Sequence, residues 1–225
     1  MLEYVSTWGP SPQVTLMRKI QFENGEYYHV YNRGTDKRKI FLDVRDIKRF
    51  FQSMKEFNTP NTIGSIYERQ FYRPKTSEKQ KERLVDFVCY CLNPNHFHFI
   101  LEQLIDKGVE RFMHKLGSGY STYFNKKYKR SGVLFQGAYK AKHIDSDTYL
   151  LHASAYVNLN HRIKGKQSLF SQSSWDEYVM VQQENFCNKD IVLNQFGSVS
   201  RYREFAENAL QDIRKRKTLA RELEM

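Results

Sequence analysis

Apolar and polar positions along the 225 residues change rhythm several times, and each change predicts an element. Tyr27 to Asn32 is β-rich and stops at Arg33-Gly34, which predicts a strand ending in a turn. Asp43, with Asp46 three residues on, reads as a helix start. Val44, Ile47, Phe50, Phe51, Met54 and Phe57 then recur at helical spacing. Leu84–Leu92 and His96–Gln103 are apolar strands joined by Asn93-Pro94-Asn95, a hairpin signal. Val109, Phe112, Met113, Leu116, Tyr120, Tyr123 and Phe124 form a second helical stripe, expected to break at Gly117 and Gly119. Val133 to Ile144 alternates as a strand does, and Asp145 or Ser146 then caps a third helix expected to reach about Arg162. Residues 59–83 are polar, carry Pro60 and Pro74, and read as a long connection with a short strand around 66–71.

This order predicts an α+β fold, a ferredoxin-like core whose central antiparallel sheet is flanked by helices. Residues 1–20 carry little pattern and read as a leader, 21–165 as the main domain, and 166–225 as a C-terminal extension. The extension ends in an amphipathic helix (Tyr202, Phe205, Ala206, Ala209, Ile213) and a basic cluster, Arg214 to Lys217. No internal repeat is evident.

Charge narrows the class. Lys and Arg outnumber Asp and Glu by 36 to 25, for a net charge of +11. The surplus is uneven: Arg111 to Ile144 holds eight Lys or Arg and no carboxylate. Such a one-sided field suits a polyanion, with a membrane surface or an acidic protein as lesser options. No stretch approaches the roughly 20 apolar residues that span a bilayer, and Cys89, Cys91 and Cys187 cannot close a disulfide set. A cytoplasmic, nucleoid-associated protein with reduced thiols is expected.

The candidate chemistry begins at His96-Phe97-His98. On a strand, residues two apart share a face, so both imidazoles point one way and Phe97, Phe99 and Leu101 the other. The third helix carries Tyr156 and, four residues later, Asn160, a spacing that puts both on one helical face. If that helix packs beside the histidine strand, His96, His98 and Asn160 offer three ligands to one divalent cation, with the Tyr156 oxygen adjacent. Imidazole plus amide oxygen favours Mn²⁺ or Mg²⁺, with zinc as an alternative. A phenol of pKa about 10 is a poor nucleophile at neutral pH; a cation that neutralises a non-bridging phosphate oxygen makes attack on a phosphodiester feasible. Tyr149 is the nearest rival nucleophile, but Ala153, not an amide, lies four residues beyond it. His152 can line the site or simply pack, and Glu102 shares the face of His98 at an exposed strand end. No Walker motif is present: the glycine pair Gly132 and Gly137 is followed by Ala138 and Tyr139.

Four blocks resemble, in order and spacing, the REP-associated tyrosine transposases of the single-tyrosine HUH endonuclease superfamily. They are YHVYNRG (Tyr28 to Gly34), LNPNHFHFILE (Leu92 to Glu102), YSTYFNKKYKRSGVLFQGAYKA (Tyr120 to Ala141) and TYLLHASAYVNLNHR (Thr148 to Arg162). The resemblance runs from about residue 24 to 180 and includes SSWDEY near Trp175. It implies that His96 and His98 are metal ligands, that Tyr156 is the nucleophile and that Asn160 is the third ligand; His161 stands where the family usually has proline. It further implies Mg²⁺- or Mn²⁺-dependent nicking and rejoining of single-stranded DNA flanked by REP-like hairpins, through a 5′-phosphotyrosine. The protein would act as a monomer or homodimer. Contacts to the strand are expected from Arg33, Lys115, Tyr123, Lys126, Lys127, Lys129, Arg130, Lys140 and Lys142, with further aromatics for stacking on bases. The alternative is a domesticated copy that binds DNA or RNA hairpins without cutting. An unrelated metal hydrolase is disfavoured: amidohydrolase barrels also use His-x-His, but they need a longer chain and more downstream ligands.

Overall fold

A computed structural model describes residues 20–66, 82–163, 170–180 and 186–223. The expected leader, Ile20 apart, and the expected short strand beyond Ile66 lie outside the described residues. The chain forms β1 (Tyr27–Arg33), α1 (Val44–Glu56), β2 (Val85–Asn93), β3 (His96–Gln103), α2 (Gly108–Lys127), β4 (Lys140–Ile144) and α3 (Asp147–Asn158). A short β5 (Gln172–Ser173), α4 (Trp175–Val179), α5 (Asp190–Leu193) and α6 (Val199–Leu223) follow. The strands order as β4-β1-β3-β2-β5, with every pairing antiparallel. Its first four strands have the expected ferredoxin-like order. Each strand–helix–strand segment skips one position, and an antiparallel strand fills the gap.

The sheet separates two cores. Tyr28, Val30, Phe97, Phe99 and Leu101 face α1 and α2, while Cys91 and Ile100 face α3 and the C-terminal helices. In β2 the register shifts between Phe87 and Cys89, which puts Val88 and Cys89 together in the second core. Thus β2 is buried along its whole length, as its near-continuous apolar run suggests.

Several sequence expectations need correction. Helix α2 runs unbroken through Gly117 and Gly119; Gly119 is small because a Cβ there would overlap the Phe57 ring. The strand expected over 133–144 is confined to Lys140–Ile144, and its earlier half is a loop pinned by a bridge between Gly34 and Phe135. Helix α3 stops at Asn158 instead of Arg162. The Leu159 N–H bonds to the carbonyls of both Ala155 and Val157, and the chain continues as a 3₁₀ turn over Asn160–Arg162. The sequence pattern gave no sign of β5.

The helix starts follow local chemistry. Asp43 and Asp46 form the reciprocal capping box of α1, and the Ser146 side chain accepts from Tyr149 N at the start of α3. Helix α6 closes over α3: Tyr202, Ala206 and Leu210 are buried, and the Tyr202 hydroxyl lies 2.8 Å from Asn158 Nδ2 and 3.2 Å from Ser154 Oγ. The extension is therefore part of the second core. No described helix is long and apolar enough to cross a membrane.

Candidate active site

The two histidines occupy the α3 side of β3, as alternation requires, while Phe97 points into the opposite core. The rings of His96 and His98 are perpendicular, with centroids 5.2 Å apart. Tyr156 reaches them from α3, its ring 5.5 Å from that of His98 and 5.9 Å from that of His29. Asn160 arrives from the 3₁₀ turn with Oδ1 3.1 Å from His96 Nε2.

Partners decide the protonation of His96. The Asn95 side chain donates through Nδ2 to the Lys37 carbonyl, which turns its Oδ1 toward His96 Nδ1 at 2.6 Å. An amide oxygen only accepts, so the proton sits on His96 Nδ1, and in the neutral ring Nε2 carries a lone pair. Two acceptors, His96 Nε2 and Asn160 Oδ1, therefore converge, and the Asn93 Nδ2 group lies within hydrogen-bond distance of both, at 3.1 and 2.9 Å. Converging lone pairs from an imidazole and an amide are what a borderline-to-hard divalent cation accepts. Among the described residues, no three His, Cys, Asp or Glu side chains gather as a metal cluster; the further oxygen beside His96 is the Asn160 amide.

Burial tunes these groups. The His98 side chain is 7% exposed; desolvation first, then the neighbouring His29, His96 and Lys217, hold its pKa well below the usual histidine value. His29 falls to about 4, through burial and then Lys142. Both rings are thus neutral near pH 7, the form a metal ligand needs. Desolvation raises the Tyr156 phenol above its ordinary value, opposed by a side-chain hydrogen bond with Asn160. His161 lies against Cys91, its Nδ1 3.9 Å from the Sγ, and leaves Asn160 in place.

Two clefts adjoin at His98 and Tyr31. One, of about 540 Å³, contains His96 and is rimmed by Arg33, Lys37 and Lys140; no carboxylate is among its lining residues. The other, of about 410 Å³, contains Tyr156 and His29 with Lys142, Tyr149 and His152. The rival Tyr149 therefore shares a cavity with Tyr156, and His152 also packs on Phe205 at 5.0 Å. Glu102 lies at the far end of the sheet, opposite Tyr27.

The expected DNA contacts divide. Arg33, Lys140 and Lys142 stand at the site, and Arg33 Nε also bonds to Gln136. The α2 residues lie on the other side of the sheet. Lys127 Nζ is held by Asp43 (2.9 Å) and Asp46 (2.6 Å), and the Tyr123 and Tyr128 hydroxyls also donate to Asp46, at 3.1 and 2.7 Å. Lys115 donates to the Thr59 and Asn61 carbonyls, and Arg130 to Asn125. Lys126 and Lys129 remain exposed. Lys115, Tyr123 and Lys127 are thus engaged inside the fold. Sequence reasoning passed over His29, Tyr31, Asn93 and Asn95; the alternation His29-x-Tyr31-x-Arg33 in β1 was the available signal.

No curated protein sequence matches the chain. A solved structure of a REP-associated tyrosine transposase bound to a REP hairpin is similar at 12% identity, over 76% of this chain and 95% of that one, with a TM-score of 0.48. Residues 65–160 match the family described as IS200-like transposase, a span that includes both histidines, Tyr156 and Asn160 and leaves β1 outside. Over residues 65–160 the chain is thus similar to the IS200-like transposases.

Proposed function

We propose that the protein is a metal-dependent endonuclease and strand transferase of the transposase type, acting on single-stranded DNA beside a hairpin. One observation carries the reading: a half-buried phenol packs on His98 and an amide oxygen meets His96, beside two adjoining clefts whose charged lining residues are all cationic. The hairpin itself is supported by the four sequence blocks that resemble the REP-associated tyrosine transposases.

His96, His98 and Asn160 would hold Mg²⁺ or Mn²⁺. When bound, such a cation supplies charge neutralisation at a non-bridging phosphate oxygen. Arg33, Lys37, Lys140 and Lys142 hold and orient the strand at the two clefts. The Tyr156 oxygen attacks phosphorus: the bond from Tyr156 Oη to phosphorus forms, the bond from phosphorus to the 3′-oxygen breaks, and the phenolic proton ends on the released 3′-hydroxyl. The product is a 5′-phosphotyrosine. One phosphoester replaces another, so a second 3′-hydroxyl can reverse the step and join a strand without ATP.

The test incubates purified protein and Mn²⁺ with labelled hairpin oligonucleotides from the gene's own flanks. A covalent protein–DNA band mapping to Tyr156 is expected. Tyr156→Phe should abolish it while retaining hairpin binding, and Tyr149→Phe should leave it. An adduct on Tyr149, or hairpin binding that never yields an adduct, overturns the reading; the latter outcome identifies a non-catalytic binder.

A further inference from the structure

β1 contributes a histidine that lies outside the transposase-family match yet touches one of its two histidines. His29 Nε2 is 3.0 Å from His98 Nδ1, with the two rings inclined by only 25°. Pairing of β1 with β3 makes this contact obligatory. His29 stands opposite Ile100 and Tyr31 opposite His98, so the two imidazoles are diagonal neighbours on one face of the sheet. His29 is itself 9% exposed, and among the described residues it makes the side-chain hydrogen bond to the His98 ring.

A bond between two ring nitrogens needs one proton and one lone pair, so two arrangements exist. If His29 donates, the His98 Nδ1 lone pair is consumed and its Nε2 carries a proton, which leaves His98 no lone pair for a cation. If His98 donates from Nδ1, its Nε2 is bare. The neutral His96 ring has the corresponding form, with Nδ1–H on Asn95 and a lone pair on Nε2. We propose that His29 is a positioning residue: it accepts the Nδ1 proton of His98, fixing the tautomer and ring angle in which His98 presents Nε2 to a divalent cation. This inference rests on the metal-dependent reading above. A ligating histidine whose other nitrogen is anchored is both oriented and more basic.

The experiment has a metal-free arm and a metal arm. In metal-free protein, nitrogen-detected NMR of the imidazoles should show His98 protonated at Nδ1 and bare at Nε2; protonation at Nε2 overturns the proposal. Mn²⁺ binding is then followed by the electron paramagnetic resonance of the free ion. His29→Phe, which keeps the ring volume and loses the acceptor, should weaken Mn²⁺ by about 10- to 100-fold. His29→Gln restores an acceptor oxygen and should recover most of that loss, a rescue that a purely packing role would not give. If native protein binds Mn²⁺, His98→Ala does not, and His29→Phe binds like native, the role of His29 falls and the metal site stands. If native protein and His98→Ala both fail to bind, the metal reading falls and takes this inference with it.

Discussion

Asn160 Oδ1 and His96 Nε2 lie 3.1 Å apart although the residues are 64 positions apart in sequence and belong to different layers of the fold. Both atoms are acceptors, and the Asn93 amide keeps them together. Asn160→Ala removes one lone pair from the convergence and leaves the Asn93 amide with His96 Nε2 and a longer contact to Cys91 Sγ. Mn²⁺ affinity should fall by roughly tenfold or more, read by calorimetric titration. Urea unfolding should show a loss of about 0.5–1.5 kcal/mol from the hydrogen bond removed from the Asn93 amide.

Two lysines of the same basic stretch should behave oppositely. Lys127 neutralises Asp46, which is fully buried, so Lys127→Met should cost roughly 2–4 kcal/mol of stability. Hairpin affinity should change little once the variant is folded. Lys140 is exposed at the rim of the cleft, so Lys140→Gln should shift stability by less than about 0.5 kcal/mol. Native binding should weaken steeply with salt, and the slope of log affinity against log salt should fall by about one in Lys140→Gln. Binding titrations at several salt concentrations separate the two lysines, and a flat response in the native protein would exclude a phosphate-tracking groove.

The buried histidines make metal-free stability depend on pH in a defined window. His29 titrates near 4 in the folded protein, against about 6.5 when unfolded, because burial and Lys142 disfavour the imidazolium. Between those values the unfolded chain binds the extra proton, so stability is fully present above about 6.5 and is lost as pH falls toward 4. The His29 contribution is at most about 3 kcal/mol, and His98, shifted the same way, adds to it. Chemical denaturation from pH 7.5 to 4.5 should show this decline, and His29→Phe should flatten it.

Helix α6 should matter to catalysis without touching substrate. Tyr202 is fully buried, and its hydroxyl meets Ser154 and Asn158 of α3, while Asn158 also accepts from Ser174 Oγ at 2.6 Å. Tyr202→Ala should cost about 3–5 kcal/mol and lower adduct yield by loosening the helix that carries Tyr156. Tyr202→Phe should cost about 1–2 kcal/mol. Thermal unfolding alongside adduct formation tests both.

What could be read from the linear chain was whatever depends on near neighbours. Alternation along β3 put His96 and His98 on one face because successive residues of an extended chain point to opposite sides. The capping pair Asp43 and Asp46, the hairpin at Pro94-Asn95 and the helical stripes were legible for the same reason. Asn160 was identified as a candidate ligand on a helical spacing, although the helix ends two residues before it; the 3₁₀ turn still delivers its oxygen to His96.

Other features depended on partners distant in sequence. Lys127 and Lys140 both belong to a carboxylate-free stretch, yet one meets a buried carboxylate 81 residues away and the other faces an open cleft. The pairing of His29 with His98, 69 residues apart, exists only because β1 lies beside β3 in the sheet. Backbone geometry repeats every two or 3.6 residues and so is written locally. The identity of the group that meets a given charge or lone pair is set by how the layers pack, and only the folded chain decides it.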